Sequence, residues 1–317
     1  MIKQLSIVLT FVLFLISCGG DDSADLIATY QDVQPEDIDD GLLVSHAEDE
    51  GMRVTFLEDL ENDILDGKYT NMHSVLVARN NKLVFETYHA GEDVFGKFVS
   101  WKRSSVHNIH SATKSFASAF VGIALEQRNL GLDTRLFDHF PEYDFADDLM
   151  KMSITVDDAL SMSNGIKWDE WSAPYEDPAN SHEAMYRSGN WIDYVVNLPM
   201  EDSPGNSFRY NSGISITLGQ FAANLANMSL GEFSDSYFFQ PLGIKEKRWF
   251  IGPHKTYQTG GGLSITPRSM MKLDFFTKMT ACGMDSKLFL VIGFLLLLHS
   301  KGQMQVTDII GGLPLTM

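Results

Sequence analysis

The chain has 317 residues and a formal net charge of −18 at pH 7. This charge argues against nucleic acid as a partner, because binding to a phosphate backbone depends on basic residues. Cys18 and Cys282 are the two cysteines, which argues against a disulfide framework or a cysteine metal cluster. We expect no cofactor and no metal.

The N-terminus predicts export. Lys3 precedes an apolar run from Leu5 to Ile16, which is too short to span a bilayer and is typical of a signal peptide. The run ends in Leu15-Ile16-Ser17-Cys18-Gly19, which resembles the lipobox of bacterial lipoproteins. That resemblance implies that residues 1–17 are removed and that Cys18 is lipidated, anchoring the chain in the bacterial cell envelope, on the periplasmic side of the inner or outer membrane. The alternative is an ordinary signal peptide cut nearby.

The next segment is acidic, and the one after it has a strand pattern. Residues 18–50 are rich in Asp and Glu with little apolar periodicity, which predicts a solvated tether leading into a helix near Val54–Leu65. Two apolar runs, Ser74–Arg79 and Leu83–Tyr88, flank a short polar turn. This arrangement predicts an antiparallel β-hairpin.

The motif around which the chain is organised is Ser111-Ala112-Thr113-Lys114. An apolar, small-residue run follows it, so the motif is predicted to start a buried helix. Residues three apart share a helix face, and Lys114 can therefore reach the Ser111 hydroxyl. A buried lysine is a plausible base for a serine nucleophile, since burial disfavours its charged form. Alternatively the tetrad arises by chance, with Ser111 a plain N-cap. Ser269-Met270-Met271-Lys272 repeats the spacing and serves as an internal decoy.

Further along the chain, local signals predict two helices and an irregular segment. Thr155 and Asp158 have the spacing of a capping box at the start of a helix that is predicted to end at Met162-Ser163-Asn164-Gly165. A small-residue helix is predicted from Ile214 to Ala226. The segment from Trp168 to Tyr175 lacks periodicity, and its aromatic and acidic residues predict either a pocket wall or a surface anchor. The methionines Met150, Met152 and Met162 are expected to fill the core.

Several motifs in fixed order resemble the serine β-lactamase and penicillin-binding-protein superfamily, over roughly residues 74–277. The similarity is closest to its class C-like branch of esterases, D-amino peptidases and 6-aminohexanoate-dimer hydrolases. Co-linear motifs are far more specific than one tetrad. The residues that carry the resemblance are Ser111-Ala112-Thr113-Lys114, Pro204-Gly205, Tyr210-Asn211-Ser212-Gly213, Pro241-Leu242-Gly243-Ile244, Gly260-Gly261-Gly262-Leu263 and Thr266-Pro267-Arg268.

The resemblance implies residue roles. Ser111 would be the acyl-forming nucleophile, Lys114 its activating partner, and Tyr210 the general base that also protonates the leaving group. The second motif of the family usually reads Tyr-x-Asn, whereas this chain has Asn211 and then Ser212. These two residues are the candidates for the substrate contact of that motif. The shorter side chain of Ser212 puts the role of the family's asparagine in doubt.

Two further features near the motifs are expected to be noncatalytic. His107 and His110 flank the serine motif, but no carboxylate or cysteine ligand pattern accompanies them, which argues against a metal site or a Ser-His pair. Ser269 falls where the family commonly has an acidic helix-cap residue, so the decoy tetrad is expected to be structural.

The C-terminus departs from the family pattern. Leu288 to Leu298 is an almost unbroken apolar run, compatible with a buried helix or with a membrane anchor, although it is short for a span. A third interpretation fits better, namely that residues 278–317 are translated out of frame. The shifted frame permits Asn-Asp-Gly-Leu-Trp-Asn-Gly from Lys278 onward and Gly-Tyr-Gly-Tyr-Tyr-Trp-Trp from Gln305 to Gly312, and both strings resemble the family. One base lost between about Phe275 and Lys278 would produce this. Resequencing the coding DNA would test it.

These observations predict a mixed α/β fold, an antiparallel sheet flanked by helices with a helical lobe, incomplete at the C-terminus. The serine hydrolase domain is expected to cover residues 51–277, acting on a small amide, peptide or ester. The frame as written lacks the family's downstream Lys/His-x-Gly strand, whose backbone supplies one oxyanion donor, and loss of one such donor costs about 10²–10³ in rate. The alternative is therefore a catalytically dead relative or a binding protein.

Overall fold

A computed structural model describes residues 34–93, 95–145 and 147–273. The predicted signal peptide, Cys18 and the C-terminal tail lie outside these residues. Among the helices of the described ranges, none combines the length and apolarity that a membrane span requires.

Within the described ranges the strands form three small sheets. The strands are β1 (Leu43–Val44), β2 (Ser74–Arg79), β3 (Lys82–Tyr88), β4 (Ala90–Glu92), β5 (Phe98–Ser100), β6 (His107–Asn108), β7 (Lys247–Trp249) and β8 (Leu263–Ile265). In the first sheet β1 runs parallel to β3, and β3 runs antiparallel to β2. The second sheet is the antiparallel pair β4 and β5, and in the third β8 lies between β6 and β7, antiparallel to both.

One α-helix lies between β1 and β2 in the chain and the others up to β7 follow β6, which gives the mixed α/β architecture that the sequence predicts. Another helix begins at residue 267 and is described to residue 273. The α-helices before it are α1 (Val54–Leu65), α2 (Thr113–Arg128), α3 (Leu149–Met152), α4 (Val156–Leu160), α5 (Ser181–Arg187), α6 (Trp191–Asn197), α7 (Ser212–Ala226) and α8 (Leu230–Ser234).

The predicted hairpin is confirmed as β2 and β3, paired from Ser74 opposite Tyr88 to Arg79 opposite Lys82. Its turn residues Asn80 and Asn81 both have positive φ angles, 51° and 61°. Tight hairpin turns need this left-handed conformation, and asparagine adopts it more readily than most residues. The predicted capping box of α4 is confirmed as well, since Thr155 and Asp158 exchange side-chain and backbone hydrogen bonds.

The predicted tether differs from the structure in its last part. Residues 43–44 form β1 against β3, and Leu42 and Ala47 are buried. Glu50 accepts hydrogen bonds from Asn80 and Lys82 at 2.9 and 2.6 Å. A few apolar side chains and one paired carboxylate thus hold residues 42–50 on the domain, so the folded part begins before residue 51.

The main core lies between α2 and α7, which pack against each other. Both helices are rich in small residues, which allows close approach of their backbones. Aromatic side chains from α2 and the segment after α8 fill the space beside them, with Phe116 and Phe238 at a ring-centroid distance of 5.8 Å. A smaller cluster lies between α1 and the first sheet, formed by Ala47, Leu57, Val84 and Phe85.

The prediction that three methionines fill the core is wrong for Met150. Met162 is buried and Met152 packs against the core, but Met150 is exposed. The reason is that neighbouring side chains in a helix such as α3 point to different sides. Lys151 takes the inward position, and its ammonium group donates to the carbonyls of Val196 and Leu198 at 2.7 and 2.8 Å.

The start of α2 is attached to the third sheet. The Ile109 amide donates to the Leu263 carbonyl at 3.0 Å, and the Leu263 amide donates to Thr113 Oγ1 at 3.2 Å. The Gly260-Gly261-Gly262 turn leads directly into β8. These bonds therefore place the serine motif beside the glycine turn.

Candidate active site

Ser111 lies in a 3₁₀ turn, His110–Ala112, that continues directly into α2. The N-cap positions of this turn and of α2 are Ile109 and Ala112, so Ser111 is not the plain N-cap of the alternative interpretation. The preceding residue, His110, has a φ angle of 44°, a left-handed conformation that is costly for a residue with a Cβ. The Asn108 side chain supports this turn by accepting from the His110 amide at 2.7 Å. Ser111 is consequently exposed at the tip of the turn.

Lys114 lies one turn further along and is buried, with 8% of its surface exposed. Its Nζ donates to Ser111 Oγ at 3.3 Å and to the Gly260 carbonyl. Gly260 can come this close because it lacks a side chain, since a Cβ there would lie 3.0 Å from the Ser212 carbonyl oxygen. The predicted contact between Lys114 and Ser111 is thus present, and the glycine turn supplies a second partner.

Tyr210 reaches Ser111 from the segment before α7. Its hydroxyl donates to Ser111 Oγ at 2.8 Å, and its ring centroid lies 4.8 Å from Lys114 Nζ. The backbone next to it is fixed by a hydrogen bond of 2.8 Å from the Arg209 amide to the Met162 carbonyl. A tyrosine hydroxyl and a lysine ammonium group therefore converge on one serine hydroxyl.

Asn211 and Ser212, the other residues of the second motif, are engaged elsewhere. Asn211 is the N-cap of α7, where its Oδ1 accepts from the Ile214 amide at 2.9 Å. Ser212 is buried, and its Oγ donates to Glu170 Oε1 at 2.7 Å. The Asn211 amide nitrogen, Nδ2, is buried and has no hydrogen-bond partner among the described residues, so of the two side chains only that of Asn211 keeps an unused donor for the predicted substrate contact.

Glu170 is the residue of this region that sequence reasoning did not single out. It is 2% exposed and accepts hydrogen bonds from four donors. The donors are Trp168 Nε1 at 2.8 Å, the Tyr175 hydroxyl at 3.0 Å, the Ser212 amide at 2.9 Å and Ser212 Oγ at 2.7 Å. The one signal in the sequence was an acid between two tryptophans, which is too weak to identify a buried carboxylate.

The segment from Trp168 to Tyr175 has one buried and one exposed tryptophan. Trp168 is buried and anchors the segment, whereas Trp171 is 60% exposed. The Trp171 ring lies 5.3 Å from the Tyr210 ring. Trp168 thus provides the predicted anchor, and a pocket wall at Trp171 stays a prediction.

His107, which precedes the serine motif, contacts Trp101 and His73. Its ring centroid lies 3.8 Å from that of Trp101, and it shares a hydrogen bond of 3.0 Å with His73. Burial lowers the pKa of both histidines. Within the described residues, no group of three or more His, Cys, Asp or Glu side chains could hold a metal ion.

The pKa of His182 is influenced by two charged groups of the site. Burial lowers the pKa of His182, the Glu170 carboxylate opposes this shift, and the charge of Lys114 adds to it. His182 therefore lies within electrostatic range of both groups, which puts the buried carboxylate and the lysine of the serine motif in one local field.

The decoy tetrad has a structural role, as predicted. Ser269 and Thr266 share a hydrogen bond of 2.8 Å between their hydroxyls at the start of the last described helix. Lys272 donates to the carbonyls of Asp40 and Gly243. It lines a groove of about 1110 Å³ whose lining residues include none of Ser111, Lys114 and Tyr210.

Comparison with known proteins identifies the family. The Beta-lactamase family model matches residues 63–283. Protein flp of Staphylococcus aureus (strain MW2) is 23% identical over 190 residues, which cover 59% of this chain and 36% of the relative. The chain thus spans about a third of the length of the curated relatives it matches.

Solved structures share the fold. A penicillin-binding protein from Bacillus halodurans has a TM-score of 0.57 and 18% identity, covering 72% of this chain and 76% of that one. A D-amino acid amidase from Ochrobactrum anthropi SV3 has a TM-score of 0.53 and 16% identity, covering 72% of this chain and 70% of that one. Together with the family match and the co-linear motifs, these findings show that the chain belongs to the Beta-lactamase family, within the serine β-lactamase and penicillin-binding-protein superfamily.

Proposed function

We propose that this protein is a serine hydrolase that acts through an acyl-enzyme on a small amide, peptide or ester. The observation that carries the proposal is the convergence of Lys114 Nζ and the Tyr210 hydroxyl on Ser111 Oγ, at 3.3 and 2.8 Å. Both distances lie in or near the range that proton transfer requires. Membership of the Beta-lactamase family supports a hydrolase at the coarser level.

In the proposed reaction one member of the Lys114 and Tyr210 pair is deprotonated when the substrate binds and serves as the base. Ser111 Oγ attacks the substrate carbonyl as its proton passes to that base, and a carbon–oxygen bond forms. The bond to the leaving amine or alcohol then breaks as Tyr210 gives a proton to the leaving group. In the second half of the reaction water attacks the acyl-enzyme, its proton passes through the same pair to Ser111 Oγ, and the acid is released, which restores the starting state.

The substrate class is part of the proposal. One structural relative is named a D-amino acid amidase, which supports cleavage of a small amide by this fold. The exposed ring of Trp171 beside Tyr210 favours a substrate with an apolar acyl or leaving group, because aromatic faces bind apolar surface. The alternative is a noncatalytic relative that retains the pocket. The following experiment distinguishes it from an enzyme.

The test is labelling with a fluorophosphonate probe, which forms a phosphorus–oxygen bond to an activated serine and releases fluoride. We expect the wild-type protein to be labelled and Ser111→Ala to lose the label. Ser269→Ala is the matched control, because it removes the serine of the other Ser-x-x-Lys tetrad and is expected to keep the label. Folded wild-type protein that takes up no label would leave the binding-protein alternative.

Anchoring in the bacterial cell envelope through lipidated Cys18 is a separate proposal. It rests on the apolar run that ends at Leu15-Ile16-Ser17-Cys18. Cells expressing the full chain and fed a clickable fatty acid should label the protein, and Cys18→Ala should abolish the label. Equal labelling of both chains would contradict lipidation at this residue.

A further inference from the structure

Glu170 has an unusual environment for a carboxylate that lies in an irregular segment. It is 2% exposed, and each of its carboxylate oxygens accepts two hydrogen bonds. Burial of a charged group is unfavourable unless hydrogen bonds or an opposite charge replace the lost water. Here four donors supply those bonds, two from the segment and two from Ser212.

Two of the four donors belong to Ser212, the first residue of α7. A carboxylate that accepts from the first amide of a helix is also favoured by the positive end of the helix dipole. Glu170 therefore binds the N-terminus of α7 from outside the helix, beside the N-cap Asn211. Tyr210 is two residues before Ser212, so this bond fixes the backbone from which the tyrosine side chain extends.

A second contact from the same segment restrains the Tyr210 side chain itself. Trp171 directly follows Glu170, and its ring lies 5.3 Å from the Tyr210 ring. The Asn180 side chain donates to the Glu170 carbonyl at 3.1 Å, which holds the backbone that carries both residues. The segment thus restrains Tyr210 at its backbone through Glu170 and at its ring through Trp171.

From this geometry we infer that Glu170 is a positioning residue that holds Tyr210 against Ser111, acting through Ser212. The inference rests on the proposed hydrolase function and deepens it. It explains why the third position of the second motif is a serine, since that side chain serves Glu170. A displaced tyrosine would no longer lie within hydrogen-bond distance of the Ser111 hydroxyl.

Two substitutions of Glu170 separate positioning from charge. Glu170→Gln removes the charge but keeps the shape, since its oxygen can accept from Trp168 Nε1 and the Ser212 amide. Its amide nitrogen can then donate to the Tyr175 and Ser212 hydroxyls, which can accept as well as donate. Glu170→Ala removes all four bonds.

The measurement is the second-order rate constant for fluorophosphonate labelling of Ser111, with the melting temperature recorded in parallel. We expect Glu170→Ala to slow labelling about 10²-fold, the cost of a misplaced catalytic group. Glu170→Gln should recover most of this loss. Glu50→Ala is the matched control, since Glu50 is also a buried, hydrogen-bonded carboxylate. It should lower the melting temperature without slowing the labelling of folded protein.

Each result decides the inference. Folded Glu170→Ala that labels at the wild-type rate would overturn it, and so would equal losses in the Ala and Gln variants, which would point to charge. If Glu170→Ala does not fold, Ser212→Ala decides, because it removes one donor and keeps the backbone amide. It should slow labelling at least about tenfold, the rate equivalent of the weakest hydrogen bond to a charged group, and an unchanged rate would refute positioning. Wild-type protein without label would instead refute the proposed function itself.

Discussion

Ser111 and Lys114 differ in exposure in a way that suits nucleophilic catalysis. Ser111 is exposed at the tip of its turn, whereas Lys114 is buried one helical turn below it. A substrate can therefore reach the hydroxyl while the lysine stays shielded from water. Shielding strengthens the interaction between the lysine and the hydroxyl because charges interact more strongly at low dielectric.

At this scale we predict the effect of removing one hydroxyl. Tyr210→Phe keeps the ring beside Trp171 but deletes the oxygen that lies 2.8 Å from Ser111 Oγ. We expect fluorophosphonate labelling to slow by about 10²–10⁴-fold, the usual contribution of a positioned acid or base, with little change in melting temperature.

Tyr237→Phe is the control for the tyrosine prediction, since Tyr237 is an exposed tyrosine outside the site. It should label at the wild-type rate. A Tyr210→Phe variant that also labels at that rate would show that the tyrosine hydroxyl takes no part in activating Ser111.

At the scale of single elements, local sequence patterns predicted the helices and strands that depend on nearby residues. Elements that depend on contacts with distant residues were missed. The pattern predicted α1, the hairpin of β2 and β3, and the capping box of α4, because each depends on residues within a few positions of one another. The strand β1 was missed, since its two residues lie in an acidic segment whose composition predicts a solvated tether. Its partner β3 is almost 40 positions away, with Leu43 opposite Lys82, and no local pattern encodes that pairing.

The attachment of residues 42–50 to the hairpin is predicted to depend on pH. Hydrogen bonds from Lys82 and Asn80 lower the pKa of Glu50 from 4.5 to about 2. A carboxylate with a lowered pKa in the folded state stabilises the protein above its unfolded pKa, and this contribution is lost as the pH falls. Stability from Glu50 should therefore be present above about pH 4.5 and disappear between about pH 4.5 and 2.

The measurement is the urea midpoint of wild-type protein and Glu50→Gln between pH 2 and 7. The wild-type midpoint should be higher at neutral pH and the two midpoints should converge near pH 2, because Glu50 is the one acid that titrates in the wild type and is absent from the variant. A difference that stays constant with pH would show that the carboxylate of Glu50 keeps its ordinary pKa.

At the scale of the whole molecule, one arginine joins segments that are far apart in the chain. Arg268 is 2% exposed and donates from Nε and Nη2 to the Glu86 carboxylate at 2.8 and 2.5 Å. Its Nη2 also donates to the Glu36 carbonyl at 2.7 Å. The last described helix, the hairpin and the N-terminal segment thus meet at a single guanidinium group.

We predict that Arg268→Ala destabilises the protein strongly. Breaking a buried ion pair typically costs about 3–5 kcal/mol, because the remaining charge is left unpaired. We expect the lower end of that range, since Arg103 stays 3.2 Å from Glu86. Urea unfolding gives the free energy directly.

The matched control for the arginine prediction is Arg187→Ala, which breaks an exposed helical ion pair with Glu183. Such surface pairs contribute about 0.3–0.5 kcal/mol. Equal losses in the two variants would mean that the arginine network does not hold the three segments together.

Contacts between residues that are far apart in the chain also limit how much of the site could be predicted from the sequence. Ser111 and Lys114 are three positions apart, so helical spacing predicted their contact. Glu170 lies 42 positions before Ser212, and Lys114 lies 146 positions before Gly260. Motif order indicated that Tyr210 belongs with Ser111, but no pattern indicates which acid accepts from Ser212.

The bond between Glu170 and Ser212 has a consequence for how this protein can evolve. Ser212 fits a closed space, with its Oγ 2.7 Å from the carboxylate and only 3% of its surface exposed. An asparagine at position 212 would need a larger space and would meet the carboxylate with an amide group. Positions 170 and 212 are therefore expected to change together among homologues, so that an asparagine in the second motif accompanies a different residue at position 170.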